Sequence, residues 1–550
     1  MKLNKILNLT LLAGYTAETT SQKANELLNI AVSVTLGSRS HAKYLFEITE
    51  LLVSRGHTIN YLCTEGTLKY SKGYNVSNTI VSEAGFDLSK VDMKPFTRNS
   101  NPIGALGNLG KLIKHVYTES FPNYENYYKE QKPDLIICDF GSPSCIDSAA
   151  KFSIPLIIGY QSLSFAERKP YLTTSNGFEP TTIEKYSFWE RFSHGIIQPG
   201  RSIINQYSFL NELKQARKEN GVPASISMVQ FTNMGLGIAN SYIGFENPRS
   251  LSSHVYTIGP ILPDTVPTLS DDLQPFFDSH KKILYIAFGS LVRFKKDIST
   301  NMLEHFQRLL NDGWIDGIVW GGMANTNSME FPKTYIVNNV EYPTESILDG
   351  THEQFKLLKW APQDAILNHS HTKLFMTHGG LDSIYEAIQS GTPMLAVPYF
   401  GDQPRNAALI KEHGIGDYIE WPLDGDDLIN QKFVNILDPS NKELKANLEQ
   451  FKGISKFSSN RKLFAADLIE TYANSAKICR RSHTPKSYEI PCEVKPFLPL
   501  DQQISTIKAN LIDVYLVAII FTLTITGLIT FLSVRPLYKL YTSYNKQKID

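Results

Sequence analysis

Residues Thr377 to Gln403 read THGGLDSIYEAIQSGTPMLAVPYFGDQ, and their polar groups follow an order that suits a nucleotide sugar. His378, Gly379 and Gly380 close an apolar run and lead into a helix-like segment that starts near Asp382. Backbone N–H groups at a helix start, together with its dipole, form a site for phosphate oxygens. The two glycines let a diphosphate approach the backbone, and His378 can add a ring N–H. Upstream, Trp360 offers a ring face to a flat base, and Gln363 carries both a donor and an acceptor. Downstream, Glu386 lies one helical turn past Asp382, where it can accept from ribose hydroxyls, with Ser383 between them. Asp402 and Gln403 follow the apolar run Pro393 to Phe400, at the end of a strand where a sugar's hydroxyls would need them.

Moving a sugar from such a donor to an alcohol requires a base that takes the acceptor's proton. A His backed by a carboxylate serves, because the carboxylate fixes the ring tautomer and stabilises the imidazolium. His41 follows the apolar run Asn29 to Leu36, and Asp139 ends the run Asp134 to Asp139. Taken singly, the first could be a solvated residue at a helix start and the second a turn cap. The metal-dependent route to sugar transfer uses Asp-x-Asp, and Asp424-Gly425-Asp426 has that form. It lies within PLDGDDLIN, in a turn before a helix-like segment, where carboxylates complement a helix start, so no metal site and no cofactor are expected.

Parallel sheets covered by helices would bring these residues together. Asn29 to Leu36, Thr58 to Cys63 and Asp134 to Asp139 read as buried strands, and His41 to Ser54 as a helix closed by Gly56. A second alternation begins at Ile283 to Ser290 and continues through IDGIVWGG, FKLLKW, KLFMTHGG and PMLAVPYF. The expected fold class is α/β, with Rossmann-like domains at 27–255 and 283–475 and a Pro-rich, acidic linker at 256–282. Two such domains facing each other leave a cleft at the carboxyl ends of their strands. Aromatic residues crowd the stretch Tyr160 to Phe209, which suits a lipophilic acceptor, although core packing explains most of them equally well.

The ends of the chain point to a membrane. Val514 to Val534 is uncharged and about as long as the roughly 20 residues a spanning helix needs. An irregular tether at 476–513 precedes it, and Arg535, Lys539, Lys546 and Lys548 in the tail 535–550 favour a cytosolic tail. Lys2 and Lys5 before Ile6 to Tyr15 resemble a signal peptide at 1–17. These features predict a single-pass type I protein with its body outside the cytosol, and the terminal KQKID resembles a dilysine signal for the endoplasmic reticulum. The formal net charge is zero, which argues against nucleic acid as a partner. Five cysteines, Cys63, Cys138, Cys145, Cys479 and Cys492, read as too few and scattered for a disulfide framework or a zinc site, and at least one must stay unpaired.

Trp360, Pro362 with Gln363, Thr377 with His378 and Gly380, Ser383, Glu386, Asp402 and Gln403 reproduce the spacing of one signature. In it the sequence closely resembles the UDP-glycosyltransferase family, whose members have two facing Rossmann-like domains of the GT-B type. The resemblance implies that Trp360 stacks on uracil, that Gln363 helps fix the uridine, and that His378 with the turn at Gly380 holds the diphosphate, with Ser383 placed in the same UDP-sugar site. It further implies that Glu386 holds ribose and that Asp402 and Gln403 hold the sugar; Ser290 is placed with the same UDP-sugar site. His41 becomes the base and Asp139 its partner, because DFGSPSCIDSAAKFSIPLII repeats the family's strand, helix and Ile-Pro strand. The implied reaction is inverting, metal-independent transfer of a hexose or uronic acid to a small lipophilic alcohol, phenol or acid. Alternatives are a membrane-lipid acceptor such as a sterol or ceramide, or a nucleotide-sugar-binding protein without catalysis. One departure stands out: Asp382 occupies a position usually held by Asn, and it is expected to cap the helix and turn away from phosphate.

Overall fold

The computed structural model of the 550-residue chain describes residues 26–84, 103–166, 169–173, 180–223, 232–289, 292, 295–322, 330–399, 401–421, 423–484 and 486–546. The expected signal peptide 1–17, Ser290, Phe178 and the last four residues of the tail lie outside the described residues. The first half forms seven strands: β1 (Asn29–Val34), β2 (Thr58–Thr64), β3 (Ser77–Ser82), β4 (Leu135–Asp139), β5 (Leu156–Tyr160), β6 (Leu236–Ala239) and β7 (Val255–Thr257). They make one parallel sheet in the order β3-β2-β1-β4-β5-β6-β7. The second half adds β8 (Ile283–Ala287), β9 (Gly317–Gly321), a hairpin of β10 (Thr334–Val337) and β11 (Val340–Pro343), then β12 (Phe355–Leu357), β13 (Thr372–Thr377), β14 (Met394–Ala396) and β15 (Gly416–Tyr418). Its parallel sheet runs β12-β9-β8-β13-β14-β15.

Both sheets are covered on two faces, which is why their strands are continuous apolar runs without alternation: every residue of β4, β5 and β8 is buried. The helix Ser40–Ser54 buries Leu45, Ile48 and Leu52 against the first sheet. It ends where expected, at Gly56 with φ +95°, the left-handed conformation that glycine adopts without penalty.

The sequence-based boundaries need correction at three places. The linker 256–282 is not featureless: Ile258 and Ile261 are buried in the first domain, and Phe277 of the helix Gln274–Ser279 is buried in the second together with the N-cap residue Leu273. The helix Lys462–Cys479, assigned up to 475 to the second domain, packs instead on the first. Ala466, Ile469, Tyr472 and Ala473 enter the core beneath the helix Ser40–Ser54. The preceding helix, Lys442–Ser459, stays with the second domain, so the chain crosses between the domains twice. The tether is docked as well, since Val494 and Leu498 are buried in the first domain's core.

A polar clasp holds the returning helix. Glu470 accepts from His57 Nε2 at 2.7 Å and from Arg55 Nη1 at 2.9 Å, and His57 Nδ1 accepts the backbone N–H of Leu28 at 3.1 Å. Removing the acceptor of buried donors costs about 3–5 kcal/mol. Glu470→Ala is therefore expected to lower the thermal unfolding midpoint by several degrees, which calorimetry would read. A midpoint equal to the parent's would mean that the clasp is not what keeps the helix on the first domain.

Two disulfides, Cys138–Cys145 and Cys479–Cys492, correct the expectation of scattered thiols, and Cys63 is the buried free one. The pairs are local bridges, one from β4 to the next helix and one from the returning helix to the docked tether, which a count of spacings did not suggest. The C-terminal helix runs Ile512–Lys546, so the expected span 514–534 and most of the tail form one element. Within it, Ile512–Thr542 is long and apolar enough to cross a bilayer, and none of it is buried in the body.

Candidate active site at the domain cleft

Each sheet reverses its strand order at one point, and in open parallel sheets ligands bind at such points beyond the strands' carboxyl ends. In the first sheet the reversal lies between β1 and β4, which are paired with Ser33 opposite Cys138. His41 lies seven residues beyond the end of β1 and Asp139 ends β4, so the topology alone brings them together. His41 Nδ1 lies 3.1 Å from Asp139 Oδ2 and 3.2 Å from Oδ1. Asp139 is fully buried, with Gly141 N–H donating to Oδ2 at 2.8 Å and Gln161 Nε2 donating to Oδ1. His41 keeps 28% of its side chain exposed, enough to reach a ligand. Gly37, at φ +105°, allows this packing: a Cβ there would meet the His41 ring at 2.6 Å.

Burial works against a charged His41, but the Asp139 carboxylate and its hydrogen bond outweigh it, with Asp402 and Asp382 adding to the field. The net result holds the imidazole's pKa above its ordinary 6.5. Because Asp402 and Asp382 belong to the other domain, their influence on His41 puts the pair at the interface.

In the second sheet the reversal lies between β8 and β13, with Ala287 opposite Thr377. His378, Gly379 and Gly380 follow β13 and lead into the helix Leu381–Ser390, whose N-cap is Gly380. The His378 ring lies against two glycines: a Cβ on Gly380 would come within 2.6 Å of its Nε2, and one on Gly289 within 3.2 Å of Cε1. Burial lowers the His378 pKa to about 4, so the ring is neutral at pH 7, and its buried Nδ1 has no hydrogen-bond partner among the described residues.

Trp360 is 72% exposed, with the Arg39 guanidinium of the first domain 5.8 Å from its ring centroid. Gln363 is held from both sides, accepting from Tyr285 hydroxyl at 3.1 Å and donating to Ser383 Oγ at 3.1 Å and Glu386 Oε2 at 2.5 Å. Asp402 precedes the helix Gln403–Glu412 and accepts from Asn406 at 2.9 Å; burial raises its pKa. Gln403 is buried, with Oε1 accepting the Tyr399 N–H at 2.8 Å, so it shapes the turn that presents Asp402.

Asp382 does not behave as expected. No side chain caps the helix Leu381–Ser390, and the Asp382 carboxyl faces the cleft, where burial raises its pKa to about 7 against the opposing pull of Lys43, His41 and Arg39. Lys43 was not anticipated either. Its Nζ reaches across the cleft to Glu386 Oε1 at 2.6 Å, with Asp364 Oδ2 at 4.0 Å. Burial and the neighbouring Glu386 raise the Asp364 pKa to about 6. Nothing in the sequence links Lys43 to a glutamate in another domain, although its place two residues past His41 was a signal. Gln161 could have been found, since it directly follows the buried strand β5 as Asp139 ends the buried strand β4.

Known proteins are similar to this chain in sequence and fold. Residues 184–450 match the sequence model of the family described as UDP-glucoronosyl and UDP-glucosyl transferase. A UDP-glycosyltransferase of Talaromyces amestolkiae is 27% identical over 529 residues, 92% of this chain and 97% of its own. UDP-glucuronosyltransferase 3A1 of Xenopus laevis is 24% identical over 347 residues, 60% of each chain. The solved structure of the glycotransferase of kitacinnamycin shares the fold, with a TM-score of 0.55 at 19% identity over 81% of this chain and 99% of that one. With two facing parallel-sheet domains and these relatives, the chain carries a domain of the UDP-glycosyltransferase family at 184–450 and is a GT-B enzyme of sugar transfer from UDP-sugars.

Proposed function

We propose that the enzyme transfers a hexose from UDP to the oxygen of a small lipophilic alcohol, phenol or acid, with inversion and without a metal. The observation that carries this reading is the His41–Asp139 pair at 3.1 Å, set across the cleft from Asp402. His41 accepts the acceptor's proton as its oxygen forms a bond to the anomeric carbon and the bond to UDP breaks. The imidazolium is stabilised by Asp139, and a single displacement inverts the centre. Trp360, Gln363, Glu386 and the His378 turn hold UDP, and Asp402 faces the sugar. Product analysis by NMR with UDP-α-glucose and a phenolic acceptor tests this: a β-glucoside is expected, and an α-product would overturn the direct displacement.

Support for metal independence comes from the Asp-Gly-Asp segment. Asp424 is paired with Lys432 at 2.5 Å, whereas Asp426 faces Asn301 at 3.1 Å and Arg308 at 3.5 Å, so the two carboxylates serve separate structural contacts. Activity is expected to survive EDTA; loss on chelation with recovery on adding manganese would contradict the reading.

For the donor, glucose is favoured over glucuronic acid, because a uronate carboxylate would call for a close cation. The cation next to the Asp402–Gln403 pair, Arg405, is engaged elsewhere, donating to Thr173 O at 3.0 Å and Asn247 Oδ1 at 2.7 Å of the first domain. Turnover with UDP-glucose is expected to exceed that with UDP-glucuronic acid. We place the body in the endoplasmic reticulum lumen with the helix Ile512–Lys546 as anchor, the basic residues Arg535, Lys539 and Lys546 after the apolar run supporting the orientation and the terminal KQKID the compartment.

A further inference from the structure

We propose that the Cys138–Cys145 disulfide is a positioning element for catalysis, closing a ring of chain that aims Asp139 at His41. The inference rests on the reading of His41 and Asp139 as the catalytic pair. Asp139 stands where the sheet holds its strand from one side. The ladder between β1 and β4 ends with Ser33 opposite Cys138, so Asp139 lies past its last pairing, while the ladder with β5 continues, with Gly159 opposite Asp139. Successive side chains of a strand point to opposite faces. The Asp139 carboxylate faces His41 at the start of the helix Ser40–Ser54, and Cys138 turns the other way, into the core that also buries Cys145. The bridge therefore fastens the strand from behind, at the residue before the carboxylate.

The residues enclosed by the bridge are those that hold the carboxylate. Ser142 N–H donates to the Asp139 carbonyl at 2.8 Å, and Cys145 N–H donates to the Ser142 carbonyl at 3.0 Å, where the helix Pro143–Phe152 begins. Between them, Gly141 N–H donates to Asp139 Oδ2 at 2.8 Å. A Cβ on Gly141 would come within 2.7 Å of that oxygen and 3.8 Å of His41 Nδ1, so a shift of this turn acts directly on the pair. A second tie joins the ring to the residue after β1: Ser142 Oγ accepts from the Thr35 N–H and from the Thr35 hydroxyl, each at 2.9 Å. The helix Pro143–Phe152 is itself anchored, since buried Asp147 accepts from Arg217 Nε and from the Tyr117 hydroxyl, each at 2.8 Å. The bridge thus ties the end of β4 to a fixed post, with the turn that supports Asp139 strung between them. Such a device needs an oxidising compartment, which suits the lumenal placement proposed above.

The test replaces both cysteines in the full chain and reads kcat against pH, with UDP-glucose and a phenolic acceptor, beside UDP binding. Cys138→Ala with Cys145→Ala should lower kcat by about tenfold or more, because a small misplacement at a reacting centre is costly. It should also move the acid limb of kcat to lower pH, since a displaced Asp139 supports the imidazolium less. The other carboxylates that face His41, Asp402 and Asp382, lie across the cleft and stay in place. The Kd for UDP and the fraction of chains that bind it should equal the parent's. Cys138→Val with Cys145→Ala keeps the strand position filled and should give the same result where the first pair does not fold. Cys479→Ala with Cys492→Ala removes the bridge outside the cleft and should leave kcat and the acid limb unchanged. A rate that falls equally at every pH, in step with the fraction of chains that bind UDP, would show a purely structural bridge and overturn the inference. The parent's kcat and acid limb in both cysteine pairs, with His41→Ala inactive, would also overturn it and leave the catalytic pair standing. A near-normal rate in His41→Ala would overturn the reading of the pair itself.

Discussion

His41→Ala is expected to lower turnover by roughly a hundredfold or more, the usual range for general-base catalysis, while UDP still binds. The separation follows from the architecture, since the base stands on the first domain and the groups assigned to UDP on the second. Asp139→Asn should also slow the reaction, because the Asp139 carboxylate is what lifts the His41 pKa against its burial. The sign of the pH effect follows. Only the neutral imidazole can accept the proton, so the rate of the parent falls as pH drops through a value above 6.5. Without the carboxylate, burial dominates and the acid limb should move to lower pH even as the maximum rate declines. Groups acting as a unit are not additive, so the double variant should be little worse than the poorer single one. A near-normal rate in His41→Ala, with kcat measured at saturating UDP-sugar, would remove it from the mechanism.

Glu386→Ala should raise the Kd for UDP by on the order of tenfold or more, since hydrogen bonds to a charged acceptor are worth about 1.5–3 kcal/mol. Trp360→Ala should do the same through lost stacking, worth about 1–3 kcal/mol per base. The structure separates the two variants. Trp360 is exposed and its loss leaves the body undisturbed, whereas Glu386 is buried and paired with Lys43, so its removal also strands an interdomain charge. Each Glu386 oxygen accepts from a protein donor, one from Lys43 and the other from Gln363, so a ribose hydroxyl would compete with these donors for the carboxylate. Lys43→Met is therefore expected to tighten UDP binding, the opposite sign to Glu386→Ala, and calorimetry would read both. Equal weakening in all three variants would mean that Lys43 helps to hold the nucleotide.

The parts legible in the sequence were those in which a local pattern decides the structure. Runs such as LIICD and ILYIA must be buried strands, and polar residues at their carboxyl ends must meet at the cleft, which places His41, Asp139 and His378 without any long-range information. Contacts between distant segments were not legible. The Lys43–Glu386 pair joins residues 343 positions apart, and the returning helix Lys462–Cys479 has an ordinary amphipathic pattern that fits either domain. Asp382 was misjudged because its setting is made by three cations of the other domain, which no reading of its own helix could supply.

The double crossing between the domains has a mechanical consequence. Arg461, at the second crossing, donates to the Thr257 carbonyl at 2.9 Å and to its hydroxyl at 2.7 Å, beside the first crossing, so the two connections lie together along one edge. Paired links along one edge act as a door hinge, allowing a swing about that edge and resisting twist and slide. The returning helix and docked tether also fix the C-terminal apolar helix, the proposed anchor, to the frame that carries His41; with that helix held in a bilayer, the donor half would be the leaf that moves. Each turnover would then leave the acceptor side stationary at the bilayer while the nucleotide is carried in and out on the swinging half.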